Sequence, residues 1–417
     1  MNIESPIPLM LFSNATVRAG AEEVVLHLLR GLDRNLFRLH LACPPPLARL
    51  LEADLPRDVE LSRLSLDYLS DVRGAWTLGR CLRRHKIQIL HSHMFRASLF
   101  ASPIARVVGV PVILDTAHGR EFWRTGWKAS FAIDRFVARQ VHYSIAVSEA
   151  TARYLTDQKH IPADKVKVIR NGVELRSRPR TPEMQPALKR SLGVREDCSL
   201  VLVIGRLEPQ KGHRYLLEAM PSIRQQFPAV QLVCVGEGSL RSELDQMVRN
   251  LQLEGFVRFI GYEPDVSRWF AAADLSILPS LCEGLPMAAL ESLAAECPIV
   301  ATAVDGTPEI VVHEKTGLLV PPRDPQQLAG TVLLMLHHPE RARKMAERGR
   351  QHVLEQFSVR QMVHRTELLY LQAWRECLQK ERVRQAVAYA PQTPSKSGSS
   401  ADSVLPQTQR GFKSSAW

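Results

Sequence analysis

Short apolar runs alternate along this chain with longer stretches in which apolar residues recur every three or four positions. Ile7–Phe12, Arg38–Cys43, Ile87–His91, Val112–Asp115, Tyr143–Val147 and Val166–Ile169 read as strands, and Ala21–Leu32 and Ala97–Val108 as amphipathic helices between them. Strand, helix, strand in succession implies parallel sheets with crossover helices. The segment Glu174–Gln185, with two prolines, three arginines and few apolar residues, predicts an exposed connection. After it the alternation resumes with Leu200–Ile204, Val230–Val235, Val257–Ile260, Leu275–Leu278, Ile299–Thr302 and Gly317–Val320. Past about Pro325 the pattern is helical to about Val387. The residues beyond are rich in Ser, Pro, Gln and Gly and carry too little apolar surface to fold, so a disordered tail is expected. The fold class is α/β, with two doubly wound domains facing across a cleft. The expected divisions are residues 1–178, a linker at 179–197, residues 198–355, helices at 356–387 packing back on the N-terminal domain, and the tail at 388–417.

Length and composition agree with that picture: 417 residues, 45% hydrophobic and 23% charged, exceed a single core. No apolar run reaches the ~20 residues of a membrane span, and the opening residues lack the basic head of a signal peptide. Seven cysteines without a C-x-x-C pair favour neither a disulfide framework nor a zinc site, and the expected compartment is the cytoplasm. The match to N-x-[ST] at Asn14 then carries no meaning. The net charge of +11 is unevenly placed, residues 1–180 holding 27 Lys and Arg against 17 Asp and Glu. Such a surplus suits an anionic partner or an Arg-rich solvated surface.

Chemistry concentrates at residues 279–302. Leu275–Leu278 reads as a strand, Glu283 and Gly284 lie in the loop at its carboxyl end, and Pro286 fits the first position of a helix running to about Ala295. Free amides of the first turn, at Leu285, Met287 and Ala288, favour an anion there. Glu283 and Glu291 would place two carboxylates on the order of 10 Å apart, each able to accept from a vicinal diol. On their own they read as a helix-end acid balancing the dipole and an exposed helical acid; the surrounding G-L-P-M and the following P-I-V-A-T are what raise the signal. A second loop, Gly205 to Gly212, holds Arg206 and Lys211 at another strand end, where a fork and a point charge can neutralise a diphosphate. His91 and His93 share a strand face without a third ligand nearby and are read as structural, so no metal site is assigned.

The motifs run in order: G-R-L-x-x-x-K-G at 205–212, V-G-x-G at 235–238, F-I-G at 259–261, E-G-L-P-x-x-x-L-E at 283–291, P-I-V-A-T at 298–302, G-T-P-E at 306–309 and T-G-L-L-V at 316–320. Weaker N-terminal pieces are A-G-A-E at 19–22, H-S-H at 91–93, H-G at 118–119, V-S-E-A at 147–150 and N-G-V at 171–173. The series resembles the retaining glycosyltransferases of the family-4 type, built of two Rossmann-like lobes (the GT-B fold), over roughly residues 7–385. The first half would then be the acceptor side and the second the nucleotide-sugar side. The resemblance implies that Arg206 and Lys211 hold the donor diphosphate, Glu283 the transferred sugar and Glu291 the ribose. Amides around Gly284, Leu285, Pro286 and Met287 would steady phosphate and sugar, Tyr262 would border the base, and Gly20 would let the first loop approach the phosphates. His118 would face the sugar and, with Glu283, form the catalytic pair. Two departures stand out: Ala19 replaces the first of a paired glycine, and Glu296 stands where a small residue is usual.

No D-x-D occurs, so charge neutralisation by Arg206 and Lys211 replaces a metal and no cofactor is expected. The resemblance implies a hexose moved from a nucleotide-sugar, UDP favoured over GDP, with retention, onto a glycan or lipid-linked acceptor of lipopolysaccharide or polysaccharide type. A nucleotide-sugar epimerase and a synthase of a soluble disaccharide or glucan are the alternatives. No nucleic-acid motif appears. The basic run Arg80–Lys86 and the aromatic-basic stretch Phe122–Lys128 fit either a peripheral contact with an anionic membrane, at the inner face of the plasma membrane, or solvated helix charge.

Overall fold

The computed structural model describes residues 5–66, 68, 71–121, 131–174 and 183–388. Two wholly parallel sheets organise them. The first joins β1 (Ile7–Ser13), β2 (Phe37–Cys43), β3 (Glu60–Arg63), β4 (Ile89–His93), β5 (Val112–Ala117), β6 (Tyr143–Ala146) and β7 (Val166–Val168) in the order β3-β2-β1-β4-β5-β6-β7. The second joins β8 (Ser199–Ile204), β9 (Val230–Val235), β10 (Val257–Gly261), β11 (Leu275–Leu278), β12 (Ile299–Thr302) and β13 (Leu318–Val320) in the order β10-β9-β8-β11-β12-β13. Helices α1 (Gly20–Gly31), α2 (Pro45–Leu51), α3 (Val72–Arg84), α4 (Phe95–Val108), α5 (Phe131–Gln140) and α6 (Glu149–Arg153) alternate with the first set of strands. Helices α7 (Met184–Ser191), α8 (His213–Gln226), α9 (Arg241–Asn250), α10 (Ser267–Ala272), α11 (Met287–Ala294), α12 (Thr307–Ile310) and α13 (Pro325–His337) do so with the second. Then come α14 (Pro339–Gln356) and α15 (Val359–Ala388).

The central strands are the continuous apolar runs of the sequence. Leu9 to Phe12 of β1 and Leu200 to Leu202 of β8 are fully buried, as strands covered on both faces by helices must be. Three elements differ from the expected ones. Strand β3 was not expected, because ELSR carries charge at both ends; as a sheet edge it pairs only with β2. Strand β4 starts two residues later than its apolar run, since the Ile87 amide bonds back to the Leu82 carbonyl and pairing with β1 begins at Leu9 and Ile89. Helix α7 lies within residues 179–197, anchored by Lys189 Nζ at 2.7 Å from Asp274 Oδ2 and 2.7 Å from the Cys198 carbonyl. The misplaced acid Glu296, just past α11, sits 3.5 Å from Arg350 Nε, which offsets its charge.

Both sheets lie in one compact unit, Met1–Arg375; a second unit is Glu376–Trp417. Within the first unit the chain crosses between the sheets twice, side by side. The Val173 amide donates to the Phe357 carbonyl at 2.8 Å, and Val173 and Ser358 form a parallel bridge. Residues of α15 up to Arg375 meet the first sheet: Glu367 accepts the Asp33 amide at 2.7 Å, and Gln372 Nε2 reaches the Tyr143 hydroxyl at 3.1 Å. The stretch Phe122–Lys128, residues 175–182 of the expected connection and residues 389–417 lie outside the described residues. Among those described, no helix is long and apolar enough to cross a membrane.

Candidate active site

Each sheet reverses its winding once, between β1 and β4 and between β8 and β11. Ligands of doubly wound sheets bind at the carboxyl ends beside such switch points. Here the loops from the two switch points meet. The Gly20 position, at the start of α1, faces the Met287 side chain, whose Cγ would lie 3.1 Å from a Cβ there. A Cβ on Gly284 would overlap the His118 carbonyl oxygen, and one on Gly119 would stand 2.9 Å from the Gly284 nitrogen. Only glycine permits that approach.

In the loop after β8, Leu207 is fully buried and ties to the next loop through the Glu237 carbonyl at 2.9 Å, leaving Arg206 exposed beside it. Pro209–Lys211 makes a tight turn, and Gly212, at φ 66°, starts α8 in the left-handed conformation. The Gln210 carbonyl accepts the Leu281 amide at 2.7 Å, which locks this loop to the one after β11. In that second loop Glu283 is 8% exposed. Its Oε1 accepts from Lys211 Nζ and from Ser280 Oγ, each at 2.6 Å. Its amide donates to Asp305 Oδ2 at 3.0 Å, and Asp305 Oδ1 pairs with Arg120 at 2.8 Å. The predicted diphosphate cation and the predicted sugar carboxylate are thus each other's partners. Leu285 is buried in the core under α11, Pro286 precedes the helix by one residue rather than opening it, and Glu291 is half-buried one turn further on.

From the first sheet, His118 follows β5 and its Nε2 meets His93 Nδ1 at 3.1 Å. Burial pushes the His118 pKa down to about 4 and the His91 pKa to about 3, so both rings are neutral at ordinary pH. His91 is held by the Tyr370 hydroxyl at 2.6 Å and Thr116 Oγ1 at 2.7 Å, the structural role expected of it. His93 was read in the same way, yet it is what orients His118.

The acid of the A-G-A-E motif is Glu22. It is buried against Ser13, accepts the Ala19 amide at 3.1 Å in place of the cap that alanine cannot make, and is pushed up to about 7 by burial, against the pull of Arg206. Tyr262 is exposed and feels the charges of Arg18, Glu23 and Asp54. Three motifs without assigned chemistry, N-G-V, V-S-E-A and G-T-P-E, supply contacts between the two halves. Asn171 Nδ2 donates to the Leu285 carbonyl at 3.3 Å, and Glu309 accepts from the Ala150 amide and from Arg170 Nε, each at 3.1 Å.

The profile described as glycosyl transferases group 1 matches residues 184–352, and that of glycosyltransferase family 4 matches residues 18–177. An uncharacterised glycosyltransferase of Methanocaldococcus jannaschii is 30% identical over 58% of this chain and 65% of its own length. A galactosyltransferase of Escherichia coli, named for UDP-galactose and a GlcNAc-diphosphoundecaprenol acceptor, is 26% identical over 72% of this chain and 81% of its own. Anabaena HepE in complex with UDP-glucose is 20% identical, covers 87% of this chain and 99% of its own, and superposes with a TM-score of 0.78.

Proposed function

Because the chain belongs to the glycosyltransferases of group 1 and family 4, we propose that it moves a hexose-type sugar from a uridine diphosphate donor onto a glycan or lipid-linked acceptor, with retention at the anomeric carbon. The observation that carries this reading is the Lys211–Glu283 pair, held beside Arg206 at the strand ends that meet His118. On donor binding, Lys211 turns from Glu283 to the diphosphate, where it and Arg206 neutralise the charge. The released Glu283 carboxylate, still oriented by Ser280, accepts from hexose hydroxyls, while first-turn amides of α11 after Gly284, Leu285, Pro286 and Met287 face phosphate and sugar. Glu291 takes the ribose diol, Tyr262 borders the base, and Gly20 keeps the first loop clear of the phosphates. The sugar–phosphate C–O bond breaks with its electron pair leaving on the diphosphate. The acceptor oxygen bonds to the anomeric carbon from the same face, and its proton passes to the departing phosphate oxygen. Neutral His118, oriented by His93, offers the sugar a hydrogen bond without a competing charge. Uridine is favoured by the names of the Escherichia coli relative and of the HepE complex.

The acceptor side rests on α3. Tyr68, Val72 and Trp76 are exposed in and just before that helix, Val107 is exposed on α4, and Arg80, Arg83 and Arg84 stand alongside. Apolar residues interleaved with arginine fit the headgroup layer of an anionic membrane. A thermal-shift panel of UDP, GDP, ADP and CDP tests the donor, with the anomeric configuration of the product read by NMR. Stabilisation by UDP above the others is expected, and a flat response to all four refutes the donor assignment. Sedimentation with anionic vesicles at low salt tests the surface, and a protein left in the supernatant removes it.

A further inference from the structure

The outer edge of the first sheet carries a cluster that the transfer reaction does not use. His40 stands on β2, Glu60 is its directly paired neighbour on β3, and His85 caps the C-terminal end of α3. Glu60 Oε2 lies 3.5 Å from His40 Nδ1 and 2.9 Å from His85 Nδ1, and the two imidazole rings are 4.7 Å apart. One ligand atom from each residue falls within 4.8 Å of the other two. His40 is fully buried, yet among the described residues neither of its ring nitrogens has a hydrogen-bond partner. Buried polar atoms left unpaired are costly and ask for an explanation.

We propose that His40, Glu60 and His85 bind a divalent transition-metal ion of the zinc type, which clamps the edge of the first sheet. Two imidazole nitrogens and one carboxylate oxygen are a recurrent zinc donor set, with metal–ligand distances of about 2.0–2.2 Å. Ligand atoms on a tetrahedron of that size stand roughly 3.5 Å apart. Glu60 already stands within that spacing of both rings, so the contraction of about an ångström falls between the two imidazoles, and the half-buried His85 ring on the end of α3 can supply it by rotating. Glu60 is half-exposed, so water can reach the cluster from its side. Arg38 is the opposing charge nearby; its guanidinium is engaged by the His85 carbonyl at 3.2 Å. Strand β3 is four residues long and has β2 as its neighbour on one side, so an ion bridging β2, β3 and α3 would fasten a short edge element of the sheet.

The site lies toward the middle and amino ends of its strands, and the donor loops lie at the carboxyl ends, so it stands independently of the donor reading. The test uses the full chain, stripped with EDTA and dialysed, then titrated with zinc by calorimetry and with cobalt(II) by visible absorption. Glu60→Gln and His85→Ala alter the exposed members and spare the buried His40. One ion per wild-type chain is expected, with binding at least tenfold weaker in each variant. Zinc should raise the melting temperature of the wild type alone, reversibly with EDTA. An unchanged UDP thermal shift in the metal-free variants shows that they remain folded. A wild type without a saturable site, or variants that bind zinc as tightly as the wild type, overturns the proposal.

Discussion

The pairing of Lys211 with Glu283 makes a prediction that runs against the usual effect of removing a binding-site charge. Their side chains are 17% and 8% exposed and the ions are 2.6 Å apart. An exposed pair contributes about 0–1 kcal/mol, and removing one member of a buried pair costs about 3–5 kcal/mol. This pair lies between, so releasing Lys211 from Glu283 costs on the order of 1–2 kcal/mol. A donor regains that cost, because its sugar hydroxyls replace Lys211 on the carboxylate. Free UDP has no sugar and leaves Glu283 with Ser280 but without a replacement for its cation.

Glu283→Gln removes the competing carboxylate and keeps an oxygen for Ser280 to donate to. UDP alone should therefore bind about 5–30-fold more tightly, since about 1.4 kcal/mol corresponds to a factor of ten. Turnover of the sugar donor should fall steeply, because the sugar loses its anionic acceptor. Lys211→Met should do the reverse on binding, weakening UDP, and it should destabilise the fold by about 3 kcal/mol because Glu283 is left buried and unpaired. The double variant Lys211→Met, Glu283→Gln should recover most of that stability without recovering UDP affinity. Calorimetry with UDP and urea unfolding of the four proteins measure both quantities. Weaker UDP binding in Glu283→Gln, or normal UDP binding in Lys211→Met, refutes the exchange of partners.

Gly284→Ala drives a Cβ into the His118 carbonyl and should lower stability by about 1–3 kcal/mol together with the transfer rate; an unchanged melting curve would mean that the two loops do not touch. Glu22 is raised from 4.5 to about 7 by burial, so the folded chain holds a proton there that the unfolded chain has released. Its contribution is full below pH 4.5 and lost as pH rises through 7, on the order of 3 kcal/mol, and Glu22→Gln should remove that slope from urea melts at pH 5 and 7.5. The imidazoles of buried His91 and half-buried His118 act in the opposite sense: their depressed pKa values keep stability in place above pH 6.5 and lose it as pH falls toward 3 and 4. Carbon-detected histidine NMR should show both rings still neutral at pH 5, and a ring that protonates near pH 6.5 would place that histidine outside the core.

The sheets were legible because parallel strands buried on both faces must be apolar throughout, and Leu9 to Phe12 or Leu200 to Leu202 announce themselves. Strand β3 was not, because an edge strand of the sequence ELSR has no apolar face to show, and α7 was not, because its fixing point is Lys189 reaching Asp274, 85 residues away. In the cleft the same divide holds. Lys211 and Glu283 stand out as residue types in local motifs, but their mutual pairing joins two loops and has no local signature. Contacts between the two halves explain what makes that pairing possible: Asn171 on the Leu285 carbonyl, Glu309 on the Ala150 amide, Gly284 on the His118 carbonyl, and Gly306 against Ser148. Each contact ends within two residues of Glu283 or holds α12 beside it. A side chain that must exchange an internal cation for a bound sugar works only if its backbone stays still during the exchange. These contacts supply that stillness from both sides, so the glycines and polar residues around Glu283 belong to the chemistry as much as the carboxylate does.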